Sequence, residues 1–157
     1  MAAKIHFKRI GRELAMQFLF QYNLNQEEFD SVDLIRFFKQ MDQSNAFKDS
    51  RELRRGKKYT AKLVEGIIEN INIIDEKINE FISEEWDWAR IAPVDKGILR
   101  VATYEMLFEE GVPPIVAINE AVELAKKFGS DQSKRFVNGL LNNLKNTLDR
   151  DPRGEKK

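Results

Sequence analysis

Two phenylalanines flank a polar turn in the last third of the chain and lie among positive charges. The stretch AVELAKKFGSDQSKRFVNGLLNNL, residues 121–144, places Phe128 before the turn and Phe136 after it, with Gln132 between them. Four cations surround these residues: Lys126, Lys127, Lys134 and Arg135. Single-stranded RNA is held by cations along its phosphates and by aromatic faces on which unpaired bases stack. The residue types therefore indicate an RNA-binding corner, although two core phenylalanines with solubilising lysines would produce the same pattern.

Two further basic clusters lie earlier in the chain. The first, within residues 1–12, contains no acid and consists of Lys4, Lys8, Arg9 and Arg12. The second spans residues 48–62 and sets seven basic side chains against Asp49 and Glu52. Over the whole chain 26 basic residues balance 26 acidic ones. Because the net charge is zero, only this uneven distribution can build a basic face, and each run taken singly is also typical of a solvated helix.

Few residues in this sequence could support catalysis. The chain has no cysteine and one histidine, His6, which excludes thiolate chemistry, disulfides and clustered metal ligands. Neither a P-loop nor a G-x-G-x-x-G motif is present. We therefore expect a binding protein that is not an enzyme and has no metal and no cofactor. The lack of cysteine, of a secretory N-terminus and of ~18 uninterrupted apolar residues favours a cytoplasmic protein without a membrane span.

Apolar residues recur at helical spacing through nearly the whole chain, whereas the alternation typical of strands is absent, which predicts an all-α fold. The first helix is expected from about Arg9 to Leu24. Its apolar residues lie on both sides, with Met16 and Phe20 opposite the main stripe, as expected of a helix buried among neighbours. A second helix is expected to begin near residues 30–31, where either side chain can cap it.

Five more helices follow by the same spacing. The third carries Val64 and Ile67, and a break near residues 70–72 separates it from the fourth. Pro93 fits the first turn of the fifth helix, because a missing N–H is tolerated there. The sixth is expected to start just after Pro114.

The pair Asn138-Gly139 is a common hairpin turn, but no strand pattern flanks it. Leucines at helical spacing continue through the pair, so we expect a seventh helix from about Asp131 to Asp149. A glycine inside a helix is unfavourable, and we attribute Gly139 to the close approach of another helix. Gly129 fits the left-handed residue that ends the sixth helix.

Three segments together resemble the family of the bacterial transcription antitermination factor N-utilisation substance protein B (NusB). They are KRIGRELAMQFLFQ at 8–21, RIAPVDKGILRVATYEM at 90–106 and VPPIVAINEAVELAKKFGSDQSKRFVNGLLNNL at 112–144. The resemblance covers the first helix and nearly all of 86–144, and it is weak through 25–85. AINEAVELAK together with FVNG is a specific signature, far stronger than any single basic run.

The resemblance implies an all-helical fold of about seven helices in two closely packed small bundles. We accordingly expect one domain over residues 1–150, with an N-terminal sub-bundle of about 1–85 and a C-terminal sub-bundle of about 86–150. Residues 151–157 are expected to be a frayed tail.

The resemblance also implies a non-enzymatic role, in which the protein binds the single-stranded boxA element of ribosomal RNA leader transcripts jointly with small-subunit ribosomal protein ten (N-utilisation substance E). Such a heterodimer helps the transcription elongation complex to resist premature termination. The expected ribosomal-protein contact falls on Asp95, at the start of the fifth helix. The residues expected to face RNA are Lys8, Arg9, Arg12, Phe128, Gln132, Lys134 and Phe136.

Some of these assignments have alternatives. An acid in the first turn favours the positive end of the helix dipole, so Asp95 could serve helix stability alone. The N-terminal arginine run is thinner than in many members, which predicts a lower intrinsic affinity for RNA. The cluster from Arg51 to Lys58 has no inherited role; it either extends the RNA path or is solvated, and the sequence favours the solvated interpretation.

Two other functions fit the sequence. One is a helical protein–protein interaction module without RNA affinity of its own. The other is an RNA-recognition module that works with an RNA methyltransferase, which would have to be a separate chain because no Rossmann fingerprint is present. A homodimer of the free protein is expected if Met16 and Phe20 are exposed.

Overall fold

The computed structural model describes residues 6–21, 29–43, 50–83 and 87–153, and these form seven α-helices and one 3₁₀ turn, Trp88–Arg90, without a strand. The helices are α1 Phe7–Gln21, α2 Ser31–Gln43, α3 Arg51–Glu69, α4 Ile71–Asn79, α5 Pro93–Phe108, α6 Pro114–Phe128 and α7 Asp131–Asn146. The all-α prediction is confirmed. The expected end of α1 at Leu24 lies outside the described residues, and α7 ends three residues before Asp149.

The chain divides into two compact units, Met1–Glu69 with α1 to α3 and Asn70–Lys157 with α4 to α7. The division therefore falls at the break between α3 and α4, whereas the sequence placed it near residue 85. The reason is that α4 packs on α5 and α7. Asp75 of α4 accepts two hydrogen bonds from the Arg100 guanidinium of α5, at 2.9 and 2.8 Å, which joins the two helices directly.

In the first unit, α1 crosses α3 where two glycines meet. A Cβ on Gly11 would lie 3.0 Å from the carbonyl oxygen of Gly56, and a Cβ on Gly56 would lie 3.1 Å from that of Phe7. The Thr60 hydroxyl lies at the crossing and donates to the carbonyl oxygens of Gly11 (3.1 Å) and Gly56 (2.9 Å). The two backbones can approach this closely only because neither glycine has a side chain.

Helix α1 is buried on most of its circumference, as its two-sided apolar pattern predicted. Phe18 is fully enclosed and packs edge to face on Phe37 of α2, with ring centroids 5.5 Å apart. Met16 is buried, while Phe20 is 51% exposed. Of the two residues on whose exposure the expected homodimer depended, only Phe20 is therefore exposed. Helix α2 begins where expected, because the Asp30 carboxylate accepts a hydrogen bond from the backbone N–H of Val32 at 3.1 Å.

In the second unit, Arg150 closes the connection between α5 and α6. Its guanidinium donates to the carbonyl oxygens of Met106 (2.8 Å), Val112 (3.1 Å) and Glu110 (3.3 Å), with a longer contact of 3.4 Å to that of Glu105. The first residues of the expected tail are also held, since the carbonyl oxygen of Pro152 accepts from the N–H of Ile115 at 2.9 Å. Fraying of residues 151–157 stays a prediction: Pro152 makes this contact, and 154–157 lie outside the described residues.

Two glycines do not play the roles that the sequence suggested. Gly139 lies within α7 as expected, but a Cβ there would have no neighbour within 4 Å among the residues that the structure describes, so no described helix explains it. Gly129 follows α6 with φ −97° and ψ −174°, which is an extended and not a left-handed conformation. Its reason is steric, because a Cβ would lie 2.6 Å from the Ser133 side chain.

Replacing the two helical glycines separately should change stability in opposite directions. Gly56→Ala forces a Cβ against α1 and should lower the free energy of unfolding by about 1–3 kcal/mol. Gly139→Ala adds a methyl group in open space and should raise it by about 1 kcal/mol, the usual difference in helix propensity. Urea unfolding followed by circular dichroism measures both values, and a stabilising Gly56→Ala would contradict the crossing described above.

Removing the Arg150 guanidinium should loosen the α5–α6 connection. Arg150→Met keeps the aliphatic stem and leaves the carbonyls of Met106 and Val112 without their donor, so we expect a loss of about 1.5–3 kcal/mol, as for hydrogen bonds to charged groups. The matched control is Arg153→Met, since Arg153 is exposed. Equal unfolding midpoints for the two variants in urea would show that the hydrogen bonds of the Arg150 guanidinium add nothing to stability.

Candidate nucleic-acid interface

The basic end of α1 is ordered by His6. The imidazole Nδ1 accepts a hydrogen bond from the backbone N–H of Lys8 at 3.2 Å, and the His6 carbonyl oxygen accepts from those of Arg9 and Ile10. These contacts satisfy N–H groups that a first helical turn leaves without intrahelical partners. The first turn of α1 therefore presents Lys8 and Arg9 from a fixed backbone.

The structure places the three predicted N-terminal cations at different depths. Arg9 is exposed, and Lys8 is half-buried with its ammonium 5.6 Å from the centroid of the Tyr59 ring. Arg12 is 5% exposed. Two of the three residues thus have a surface on which a phosphate can lie, and the third is enclosed. Lys4, the other cation of this cluster, lies outside the described residues.

The corner between α6 and α7 is tight because Ser130 and Ser133 cap each other. The Ser130 hydroxyl accepts from the Ser133 N–H at 3.3 Å, and the Ser133 hydroxyl accepts from the Ser130 N–H at 3.0 Å. This reciprocal arrangement is a capping box. It lets α7 begin at Asp131, three residues after Phe128 ends α6.

Beside this corner, within the second unit, lies an open cavity of about 280 Å³. Its lining includes Gln132 and Phe136, two of the three predicted residues on the first turns of α7. The complete lining is Arg90, Ile91, Ala92, Asp95, Ser130, Gln132, Ser133 and Phe136. Gln132 is exposed and the Phe136 ring is half-buried, so an aromatic face and an amide border one concave surface.

The structure does not bring every predicted residue to the cavity. Phe128 is half-buried at the end of α6, outside the lining, and the Lys127 ammonium lies 5.1 Å from its ring centroid. Lys134 is exposed on α7, next to Arg135. The corner therefore has one aromatic residue in the cavity and a second one beneath a cation.

Asp95 is buried between α5 and α7, with 7% of its surface exposed. Its Oδ2 accepts a hydrogen bond from the Ser133 hydroxyl at 3.1 Å, and its Oδ1 is enclosed without a hydrogen-bond partner among the described residues. Burial raises the pKa of Asp95 above its ordinary value of 3.8, and the hydrogen bond from Ser133 opposes part of that rise. The visible role of Asp95 is thus within the chain, and its contact with a partner protein stays a prediction.

Sequence reasoning missed the serines and the Arg90–Ala92 segment of the cavity. The spacing Ser130-x-x-Ser133 was a usable signal, but capping boxes usually carry Glu or Gln at the second position. Arg90 ends the 3₁₀ turn, Ile91 and Ala92 connect it to α5, and all three reach the cavity only through tertiary packing. No local pattern marks such residues.

Among the described residues, histidine and carboxylate side chains form no group of three or more that could hold a metal ion. Within the same ranges, no helix has both the length and the apolar character needed to cross a membrane.

The buried Asp95 carboxyl should make stability depend on pH. A raised pKa means that the folded state keeps a proton that the unfolded state releases, so stability falls as pH rises from about 3.8 through the higher folded value. Asp95→Asn removes this titration while keeping a group that can bond to Ser133. Urea unfolding at a series of pH values should show a smaller decline for the variant, and parallel pH profiles would contradict the assignment.

Comparison with known proteins adds an independent line of observation. The family model described as "NusB family" matches residues 9–146. A protein of Bacillus thuringiensis named transcription antitermination protein NusB is 40% identical over 141 residues, which cover 90% of this chain and 98% of that protein.

Solved structures give a similar result. The chain resembles T. maritima NusB with a TM-score of 0.71 at 31% identity, over 94% of both chains. It also resembles a chain in the crystal structure of the antitermination factors NusB and NusE in complex with double-stranded RNA. That match has a TM-score of 0.71 at 23% identity, covers 90% of this chain and 98% of the other, and is a likeness of fold.

Proposed function

The chain belongs to the NusB family, and on that premise we propose that it acts in transcription antitermination by binding boxA-type RNA together with small-subunit ribosomal protein ten. The observation that carries the proposal is the 40% identity to an antitermination protein over 90% of the chain. The role needs no catalytic residue, metal or cofactor. It places the protein in the cytoplasm with the transcription elongation complex.

On the first unit, we assign the direct phosphate contacts to Lys8 and Arg9. Both lie in the first turn of α1, and their backbone is held by His6. Arg12 is enclosed, at 5% exposure, and a buried guanidinium leaves no room for a phosphate. Its proposed role is to support the basic turn from beneath. Contacts of this kind position RNA without reading its sequence.

On the second unit, we assign base recognition to the cavity beside the α6–α7 corner. The half-buried Phe136 ring offers a face on which a base can stack, and the Gln132 amide can both donate to and accept from a base edge. Lys134 is exposed on the same helix as a cation for the phosphates that follow. Phe128 supplies a second aromatic face, with Lys127 above it.

The proposed contact of Asp95 with ribosomal protein ten has a structural limit. The carboxylate is buried and bonded to Ser133, so a partner can reach it only at the edge of the cavity. Because Ser133 also caps α7, loss of the Asp95 carboxylate should disturb the first turn that carries Gln132. RNA binding and partner binding would then both respond to the same residue.

The proposal is tested with a labelled boxA RNA, whose fluorescence anisotropy is followed on titration with the protein alone and with ribosomal protein ten added. Phe136→Ala should weaken RNA binding by about 1–3 kcal/mol, the usual value of one stacked base. Phe108→Ala is the control, since Phe108 is an exposed aromatic residue of the same unit that lies outside the cavity lining. If four phosphates are neutralised, log affinity should fall with log salt at a slope of about −2.8.

Ribosomal protein ten should tighten binding to boxA RNA and leave a scrambled RNA weakly bound. Equal, weak binding to both RNAs, unaffected by the ribosomal protein, would contradict the proposal. Binding of ribosomal protein ten without any RNA affinity, alone or in the complex, would instead identify a protein–protein interaction module.

A further inference from the structure

One face of α3 carries a row of four basic side chains. Arg51, Arg55, Lys58 and Lys62 follow each other at i, i+4, i+7 and i+11, which places them in one narrow stripe of an α-helix. All four are exposed. At 1.5 Å per residue the row is ~16 Å long. The opposite face is buried and contains Leu53, Gly56, Thr60, Leu63, Val64 and Ile67, so the helix is held by one side and presents the cations on the other.

The row adjoins the basic first turn of α1 within the same unit. The Arg55 guanidinium lies over the Phe7 ring, 4.0 Å from its centroid, and the Lys8 ammonium lies 5.6 Å from that of Tyr59. A guanidinium that stacks by its face keeps its N–H edge for bidentate contact with a phosphate. The Gly11–Gly56 crossing brings the two helices close enough for these contacts. Lys8 and the α3 row therefore form one basic surface.

Helix stability does not explain the charge order along α3. A helix dipole favours acids at the N-terminus and bases at the C-terminus. Apart from Glu52 in the first turn, α3 has the reverse order, with Arg51 and Arg55 near its start and Glu65 and Glu69 near its end. These two acids lie on the same stripe as the basic row. Such an order opposes the dipole, so the cations have another reason to lie there.

We propose that the α3 row is a second RNA-binding tract, which holds the phosphates of nucleotides that flank the boxA element. The inference rests on the proposed function and extends it. A row of fixed cations matches the repeated charge of an RNA backbone, and the row itself contains no aromatic residue or amide that could read bases. The tract therefore adds affinity and salt dependence but no sequence preference. The proposal thus favours a binding role over the solvated interpretation of the cluster from Arg51 to Lys58.

The test compares two RNAs by fluorescence anisotropy: one limited to the boxA element, and one with the same element and leader nucleotides on both sides. The double variant Arg51→Glu/Lys58→Glu reverses two charges of the row. Arg36→Glu/Lys39→Glu on α2 makes the same change in net charge at exposed positions of the same unit. Wild-type protein should bind the longer RNA more tightly than the shorter one.

The α3 variant should lose about 25-fold in affinity for the longer RNA at 0.1 M salt relative to the α2 variant, because two lost phosphate contacts reduce the salt slope by ~1.4. Both variants should bind the short RNA equally. The thermal midpoint of the α3 variant should not fall, since Arg51→Glu places a carboxylate in the first helical turn, where it is favoured, and Lys58→Glu places one four residues before Lys62. Weaker binding with unchanged or higher stability separates a ligand contact from a structural role.

Three results would overturn the tract. Equal binding of the two RNAs by wild-type protein would show that the α3 row contacts no flanking nucleotides, and it would not affect the proposed function. Weaker binding of ribosomal protein ten by the α3 variant, with both RNAs bound as before, would assign the row to an acidic protein surface. Binding of neither RNA by the wild-type chain, alone or with ribosomal protein ten, would refute the proposed function and the tract together.

Discussion

The first unit depends on the close contact of two helix backbones at Gly11 and Gly56. At this point the Thr60 hydroxyl bonds to the main chains of both helices, while the Tyr59 side chain packs on Gly11 and the Ile10 side chain packs on Gly56. The basic turn of α1 consequently lies against the α3 surface, and rings from each helix lie under cations from the other. A wider crossing would separate the cationic surface into two weaker ones. The short distance between the helices thus supports both the packing and the electrostatics of the unit.

In the second unit, polar contacts of Ser133 hold two helices together. Ser133 is bonded to the backbone of Ser130 and to the buried Asp95 carboxylate, so one hydroxyl links the start of α7 to the start of α5. Buried polar groups of this kind are unfavourable when left unsatisfied, and an ionised carboxylate is the more unfavourable form. The arrangement fixes the angle at which Gln132 and Phe136 leave the corner. The Ser133 hydroxyl that holds this edge of the cavity is therefore bonded to Asp95, a carboxyl group whose pKa is raised by burial.

The positions of helices that depend on local periodicity were predicted correctly from the sequence. The leucine stripe through Asn138-Gly139 correctly predicted a helix where the dipeptide suggested a hairpin, and Pro93 was correctly placed in the first turn of α5. Helix α6 includes Pro114 and so begins one residue earlier than expected. The site was partly predictable, because Gln132 and Phe136 share a helix face and border one cavity.

The features that the sequence missed depend on tertiary contacts. The burial of Arg12, the contact of Ser133 with Asp95 and the packing of α4 on α5 join residues far apart in the chain. Glycines were misjudged for a related reason. The requirement at Gly129 comes from the Ser133 side chain and not from its own backbone angles, and a Cβ at Gly139 would have no neighbour within 4 Å in the described part of the chain.

The hydrogen bonds from Arg150 to the α5–α6 connection have a consequence for the order in which the protein folds during synthesis. The carbonyls that Arg150 binds belong to residues made 38 to 45 positions earlier. While α6 and α7 are being translated, those carbonyls lack the guanidinium that binds them in the finished fold, and the α5–α6 connection is without this cation. The first unit contains none of these groups and can fold as soon as it leaves the ribosome, as N-terminal domains generally do. We therefore expect a stage of synthesis in which the first unit is folded and the cavity beside the α6–α7 corner is not yet formed.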